Sequence, residues 1–362
     1  MTLDQDKLSR PAHVIPVRPG ESVDIVAIEG YLRYSIPGLP TDDALTLAQF
    51  PAGASNLTYL LCIGAWRAVL RRPPVGPLPP KAHDMKREAD WLTALHPVYA
   101  LAPQPYVFCD DSRLVGSPFY VMEYRAGAVM DKDWPIGWGH TQRLARDISR
   151  KVIETLVSLH KVDYVNAGLS PFGHPQGFLE RQVRGWSERY EKSRTADVPF
   201  AASLISWLAK QLPPGGAVAV IHNDFKLNNM LFSDDASGNV VGVVDWEMAT
   251  IGDPLLDVAV MLSYWVESDD STMIKTMLPT ITQQEGFLSR REMIELYAEL
   301  SGRDLSNIDY YLVFAYFKLA VILQQIYVRY QRGQTTDTRF AQFGLVVNRL
   351  ISHASQLAGV KE

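Results

Sequence analysis

VIHNDFKLNNMLFSDDASGNVVGVVDWE, residues 220–247, decides how this chain is read. Residues 230–232 (MLF) and 240–244 (VVGVV) are apolar and β-prone, and residues 233–239 (SDDASGN) between them are rich in turn formers. That pattern predicts a β-hairpin. An antiparallel hairpin returns the chain to its starting end, which sets Asn229 beside Asp245. The loop before the first strand holds Asp224, five positions upstream of Asn229. Two carboxylates and an amide at one end of a hairpin suit a hard cation such as Mg²⁺, completed by water and phosphate oxygens. Phosphoryl transfer calls for such a set, with metal to neutralise the phosphates and a separate carboxylate to take the proton of the attacking hydroxyl.

Upstream of the hairpin the pattern is that of a small mixed lobe. Residues 1–22 read as a leader, and 23–34 as a short helix ended by Pro37 and Gly38. Strands are expected at 45–50, 56–63 and 66–71, then a helix at about 81–95, then strands at 105–109 and 119–124. The remainder is mostly helical. Leu144, Ile148, Val152, Leu156 and Leu159 make the apolar stripe of a helix over 141–160, and a second helix spans 178–190. The sequence therefore predicts an α+β chain with a nucleotide-binding N-terminal lobe at 23–125 and a larger lobe at 126–362.

The bulk numbers bound the function classes. The 362 residues are 47% hydrophobic and 21% charged, with a net charge of −5. That balance argues against a general nucleic-acid binder. Cys62 and Cys109 fit neither a disulfide framework nor a zinc site. The N-terminus lacks the apolar core of a signal peptide. The most apolar long stretch, 310–328, contains Lys318, Gln324 and Gln325 and reads as a buried helix rather than a membrane span. A cytoplasmic protein is expected.

The motif His222-x-Asp224-x4-Asn229 followed by Asp245 resembles the catalytic and metal-binding motifs of protein kinases. The longer run VIHNDFKLNNMLF…VVGVVDWEMATIGDPLLDVA more closely resembles the aminoglycoside-phosphotransferase-like kinases. The resemblance implies a bilobal protein-kinase-like fold that uses ATP and Mg²⁺. It makes Asp224 the catalytic base and Asn229 and Asp245 the metal ligands, and it sets Lys226 near the transferring phosphoryl group, where it would stabilise charge. His222 either braces the loop or is a satisfied core residue. Asn223 stands where the family usually has glycine. Asp253 and Pro254 read as N-cap and first turn of a helix, with direct participation of Asp253 as the other reading. Eight residues separate Asp245 from Pro254, too few for the activation segment of a protein kinase, so a small-molecule substrate is expected.

On the nucleotide side, Glu88 shares the apolar face of its helix with Met85, Leu92 and Leu95. A carboxylate there is costly unless paired. Arg71, at the end of the third strand, is the nearest candidate, and kinases use such a pair to hold ATP phosphates. The bland alternative is a surface glutamate and a strand end. FPAGASNLTY (50–59) takes the place of a glycine-rich loop, with Gly53, Ser55 and Asn56 as phosphate contacts. YVMEYRAG (120–127) resembles a kinase hinge in which backbone groups of Glu123 and Arg125 meet adenine; an ordinary strand end would look the same.

AQFPAGASNLTYLL, AVLRRPP, SPFYVMEYRAG, LERQVRGWSERY and FAYFKLAVILQQIYVRY look like one branch of the superfamily, found in bacteria as single proteins and in animals fused to acyl-CoA dehydrogenases. The branch is implicated in phosphorylating 4-hydroxyacyl-CoA thioesters, including 4-hydroxyvaleryl-CoA in levulinate catabolism. Beyond residue 300 the chain has seven Lys or Arg against four acids, which suits an anionic acyl-CoA better than a polycationic aminoglycoside. Arg181, Trp186 and Tyr190 are candidates for substrate contact, a solvated face and helix core being the alternatives. An aminoglycoside kinase and a non-catalytic nucleotide-binding pseudokinase are the rival functions.

Overall fold

The computed structural model describes residues 14–51, 56–76, 83–198, 201–335 and 337–361. They form two compact units, the first of residues 14–126 with Gly242–Glu247 and the second of Gly127–Val241 with residues 248–361.

The first unit contains, in chain order, α1 (Ile25–Ser35), β1 (Thr46–Gln49), β2 (Leu57–Ile63), β3 (Trp66–Arg72), α2 (Met85–Leu95), β4 (Pro105–Cys109), α3 (Ser112–Val115) and β5 (Phe119–Glu123). The strands make an antiparallel sheet in the order β1-β2-β3-β5-β4. Strand alternation divides its side chains between two faces. Tyr59, Leu61, Ile63, Ala68, Leu70, Phe119 and Val121 pack with Ile28 and Leu32 of α1. Val69, Arg71, Tyr120 and Met122 alternate with them and point to the other face. Helix α2 starts where the Asp84 carboxylate caps the amide of Arg87 at 2.9 Å, and buries Trp91, Leu92 and Leu95.

Residues 14–22, part of the leader in the sequence reading, are tied down. Ile15 bridges to Gln49, and the Glu21 carbonyl accepts from Tyr59 Oη at 2.6 Å and Arg72 Nη2 at 2.9 Å. Gly242–Glu247 belong to this unit because Val243 N–H donates to Leu101 O at 2.8 Å and Trp246, 1% exposed, packs edge-on against Tyr99.

The second unit contains β6 (Ala128–Val129), α4 (Gln142–His160), α5 (Phe178–Ser193), α6 (Ala202–Lys210), β7 (Ala219–Ile221), β8 (Met230–Phe232) and the start of β9 (Val240–Val243). Then follow β10 (Thr250–Gly252), α7 (Pro254–Tyr264), α8 (Thr272–Met277), α9 (Arg290–Ser301), α10 (Ile308–Gln331) and α11 (Phe343–Leu357). The predicted hairpin is β8–β9, closed where Ser233 N–H donates to Asn239 O at 2.8 Å. Strands β7 and β10 pair antiparallel and bracket it. A side chain at Gly252 would run into Phe178 and Ile221 at under 3 Å, so the close approach of β10 to α5 needs glycine there.

The core of this unit is built on α10, a 24-residue helix packed against α5, α7 and α11. Its length and composition would suffice to cross a membrane, but 67% of its most apolar window is buried inside the protein. Along α4, Ile148, Val152, Leu156 and Leu159 are fully buried, the stripe the 3.6-residue period predicts.

Candidate active site

In the second unit the loop between β7 and β8 carries Asp224, Lys226 and Asn229, and the structure brings these three together. Lys226 Nζ lies 3.0 Å from Asp224 Oδ2, and Asn229 Nδ2 donates to the same oxygen at 3.0 Å and to Asp224 O at 2.8 Å. With its NH₂ committed to Asp224, the Asn229 amide presents Oδ1 as the atom for a cation. Lys226 Nζ also sits 5.0 Å from the ring centroid of Tyr264, whose phenol is pushed up to about 12 by burial.

The conformation of the loop is set by groups remote in sequence. Asn223 has φ +65°, in the left-handed region that glycine prefers and asparagine tolerates better than most residues. That accounts for the exchange of the family's glycine for asparagine without loss of the loop shape. The fully buried Asp257 of α7 accepts from the amide of His222 at 2.6 Å and from that of Asn223 at 2.5 Å. His222 is a core residue whose ring meets Phe225 edge-on. Asp253 caps α7 through Leu255 N–H at 3.0 Å and accepts from Tyr311 Oη at 2.6 Å, which is the structural role of the two sequence alternatives.

Lys226 lines a cavity of about 190 Å³ with Met130, Met261, Tyr264, Trp265 and Met277 among its walls. Among the described residues its charged lining is Lys226 and one carboxylate, Asp131. A larger groove, of about 720 Å³ along α5 and α6, is lined by none of the loop residues and carries no catalytic argument.

The first unit holds a second charged cluster. Arg71, 6% exposed, donates to Glu88 Oε1 at 2.7 Å and to Asp245 Oδ1, and lies 3.6 Å from Glu247 Oε2. Burial opposes the Arg71 charge, but Glu88 and Asp245 outweigh it and hold the guanidinium well above its ordinary value. Burial pushes the Glu88 carboxyl up to about 7; Arg71 opposes this, while Asp245 and Glu247 add to it. Three carboxylates therefore surround one guanidinium. Asp245 has φ +69° and shares the left-handed region with Asn223.

Other sequence candidates are placed differently. Asn56 is 3% exposed and its amide is committed within the unit, donating to Glu247 Oε2 at 2.7 Å while Oδ1 meets His83 Nδ1 at 2.8 Å. Gly53 and Ser55 lie outside the described residues. The amide of Glu123 donates to Gln104 O at 2.7 Å, which removes that N–H as an adenine donor, and its carboxylate pairs with Arg125 at 2.8 Å. Tyr190 is fully buried against Phe317, and Trp186, 5% exposed, packs beside Lys318 and Arg189; both are core of the α5–α10 contact and neither lines the cavity beside Lys226. Arg181 donates to the carbonyls of His174 and Gln176, closing the turn before α5. Sequence reasoning missed Asp257, Glu247 and Lys318. A carboxylate and an ammonium in the apolar runs of α7 and α10 were the available signals.

An antiparallel sheet with helices packed against it, followed by a helical unit with an Asp-x-Lys-x₂-Asn loop, is the pattern of a kinase-like phosphotransferase. The phosphotransferase enzyme family model matches residues 46–286, and the chain belongs to that family. It is a kinase-type enzyme of the small-molecule class. Acyl-CoA dehydrogenase family member 11 of Rattus norvegicus is 34% identical over 329 residues, which is 89% of this chain and 42% of the relative. This chain thus spans less than half the length of the curated relatives it matches. A Ralstonia eutropha JMP134 protein, provisionally assigned as an aminoglycoside phosphotransferase, superimposes with TM-score 0.77 at 26% identity over 94% of this chain and all of that one. A thermostable mutant of aminoglycoside phosphotransferase APH(4)-Ia, in a ternary complex with AMP-PNP and hygromycin B, shares the fold with TM-score 0.58 at 15% identity over 91% of this chain and 98% of that one.

Proposed function

We propose that this chain transfers the γ-phosphoryl group of ATP to a hydroxyl of an acyl-CoA thioester, a 4-hydroxyacyl-CoA such as 4-hydroxyvaleryl-CoA being the leading acceptor. The observation that carries this reading is Lys226, which touches the Asp224 carboxylate at 3.0 Å and also lines a cavity walled by methionine and aromatic side chains. Such walls suit an acyl chain. A polycationic aminoglycoside would call for more carboxylates than Asp131 supplies. Relatives that carry acyl-CoA dehydrogenase names agree in direction with a CoA-linked acceptor.

Asp224 accepts the proton of the acceptor hydroxyl, and the hydroxyl oxygen attacks the γ-phosphorus as the bond to ADP breaks. Asn229 Nδ2 and Lys226 Nζ hold the carboxylate for that role, and the Lys226 ammonium offsets charge on the transferring group. Asn229 Oδ1 and the Asp245 carboxylate are the ligand candidates for Mg²⁺, which when bound neutralises phosphate charge. Arg71, oriented by Glu88, offers its guanidinium to phosphate oxygens.

The test is phosphoryl transfer from ATP across a panel of 4-hydroxyacyl-CoA thioesters and aminoglycosides. Transfer to the thioesters is expected. Transfer confined to aminoglycosides would overturn the acceptor assignment, and ATP consumption stimulated by no acceptor in the panel would favour a nucleotide-binding role without catalysis.

A further inference from the structure

Lys318 sits in the middle of α10, flanked by Phe317 and Leu319, and is 3% exposed. None of the roles above uses it. Its ammonium donates to the main-chain carbonyl of Asn223 and to Asn223 Oδ1, each at 2.7 Å, and stands 5.5 Å from the centroid of the Trp186 ring. Among the described residues it forms no ion pair. A buried ammonium held by neutral acceptors is costly to keep, and the usual remedy in a core is an apolar side chain. Burial accordingly lowers its pKa to about 8, with Asp224 and Asp257 acting in the opposite direction.

Asn223 is where that cost is recovered. It immediately precedes Asp224, and its φ of +65° is a conformation that L-residues avoid. Asp257 holds its amide at 2.5 Å and Lys318 holds its carbonyl and side-chain oxygen, so the residue is gripped from both ends. The second grip depends on asparagine, because a glycine at 223 would offer Lys318 only the carbonyl.

We propose that Lys318 is a positioning residue for phosphoryl transfer, holding both oxygens of Asn223 so that residue 223 stays left-handed and the Asp224 carboxylate is aimed at the acceptor hydroxyl. The proposal rests on the reading of Asp224 as general base. Its structural half can be tested without any turnover. In a crystal structure of Lys318→Met, residue 223 is expected to leave the left-handed region or the Asp224 carboxylate to part from Lys226. An unchanged 222–226 loop would overturn the proposal.

The kinetic half is a double-mutant cycle in the full chain, with wild-type turnover serving as the separate check on the kinase reading. Displacing a catalytic group by an ångström can cost about 100-fold, so Lys318→Met should lower kcat roughly 30-fold and leave KM for ATP within about threefold. In an Asn223→Gly background, where the backbone conformation is free, the same substitution should cost only about threefold, a coupling of about tenfold. Additive effects, or a Lys318→Met enzyme at full rate, would contradict the role. Should Lys318→Met fail to fold, Asn223→Ala and Asn223→Gly ask the question from the other side. Alanine should lose at least about tenfold in kcat relative to glycine, and equal rates would overturn the proposal.

Discussion

Arg71 in the first unit and Lys318 in the second are buried cations held in opposite ways. Arg71 in the first unit is surrounded by the carboxylates of Glu88, Asp245 and Glu247, and its charge is reinforced. Among the described residues, Lys318 in the second has a carbonyl and an amide oxygen as its hydrogen-bond acceptors, and burial lowers its pKa to about 8. The contrast follows from chemistry. Guanidinium is a planar fork that serves several carboxylates and never gives up its proton, whereas an ammonium in a dry site is a point charge that can. An always-charged group suits the handling of phosphates. A single strong donor suits the fixing of one loop.

The comparison is broken most severely by Arg71→Met, which leaves Glu88 buried without its cation. We expect a loss of about 3–5 kcal/mol in denaturant unfolding of the variant. If the loss is under about 1 kcal/mol, the first-unit cluster is not held by its charges.

The pH dependence of stability sharpens the same contrast, because the two units should respond in opposite directions. The folded-state pKa of Lys318 is depressed from 10.5 to about 8, so its contribution is present above the unfolded value and is lost as pH falls through about 8. Wild type should therefore gain stability over Lys318→Met between about pH 8 and 10.5, by on the order of 3 kcal/mol. Glu88 is raised from 4.5 to about 7, so its contribution is present below 4.5 and is lost as pH rises through about 7. Wild type should lose stability against Glu88→Gln across that window, by no more than the lysine effect. Denaturation midpoints collected from pH 4 to 10.5 would show both slopes, and a common sign would refute the distinction. The smallest effect expected is for Asn223→Gly, within about 1 kcal/mol of wild type, since glycine relieves the left-handed strain but loses one acceptor for Lys318. A larger loss would mean that the Asn223 side chain matters more than the conformation it adopts.

What was legible in the sequence follows from how local each signal is. The β8–β9 hairpin could be read because a run of turn formers separates two β-prone runs, and Asp224, Lys226 and Asn229 lie within six residues of one another. The Arg71–Glu88 pair was readable at longer range because a carboxylate on an apolar helix face demands a partner. Lys318 met the same criterion, yet its acceptors lie 95 residues away on Asn223, an uncharged residue. Asn56 was read as a phosphate contact because it follows the small-residue loop; its partner Glu247 is 191 positions distant. Trp186 and Tyr190 show the limit of periodicity, since spacing of i and i+4 establishes a shared face but not whether that face meets a ligand or, as here, α10.

The most direct test of the account is kcat for phosphoryl transfer to a 4-hydroxyacyl-CoA by Asp224→Asn beside the wild type, with ATP binding measured on both. A fall of about 10²–10⁴-fold with ATP affinity retained is expected, the range for loss of a general base. A variant that still transfers phosphate within about twofold of the wild-type rate would contradict it.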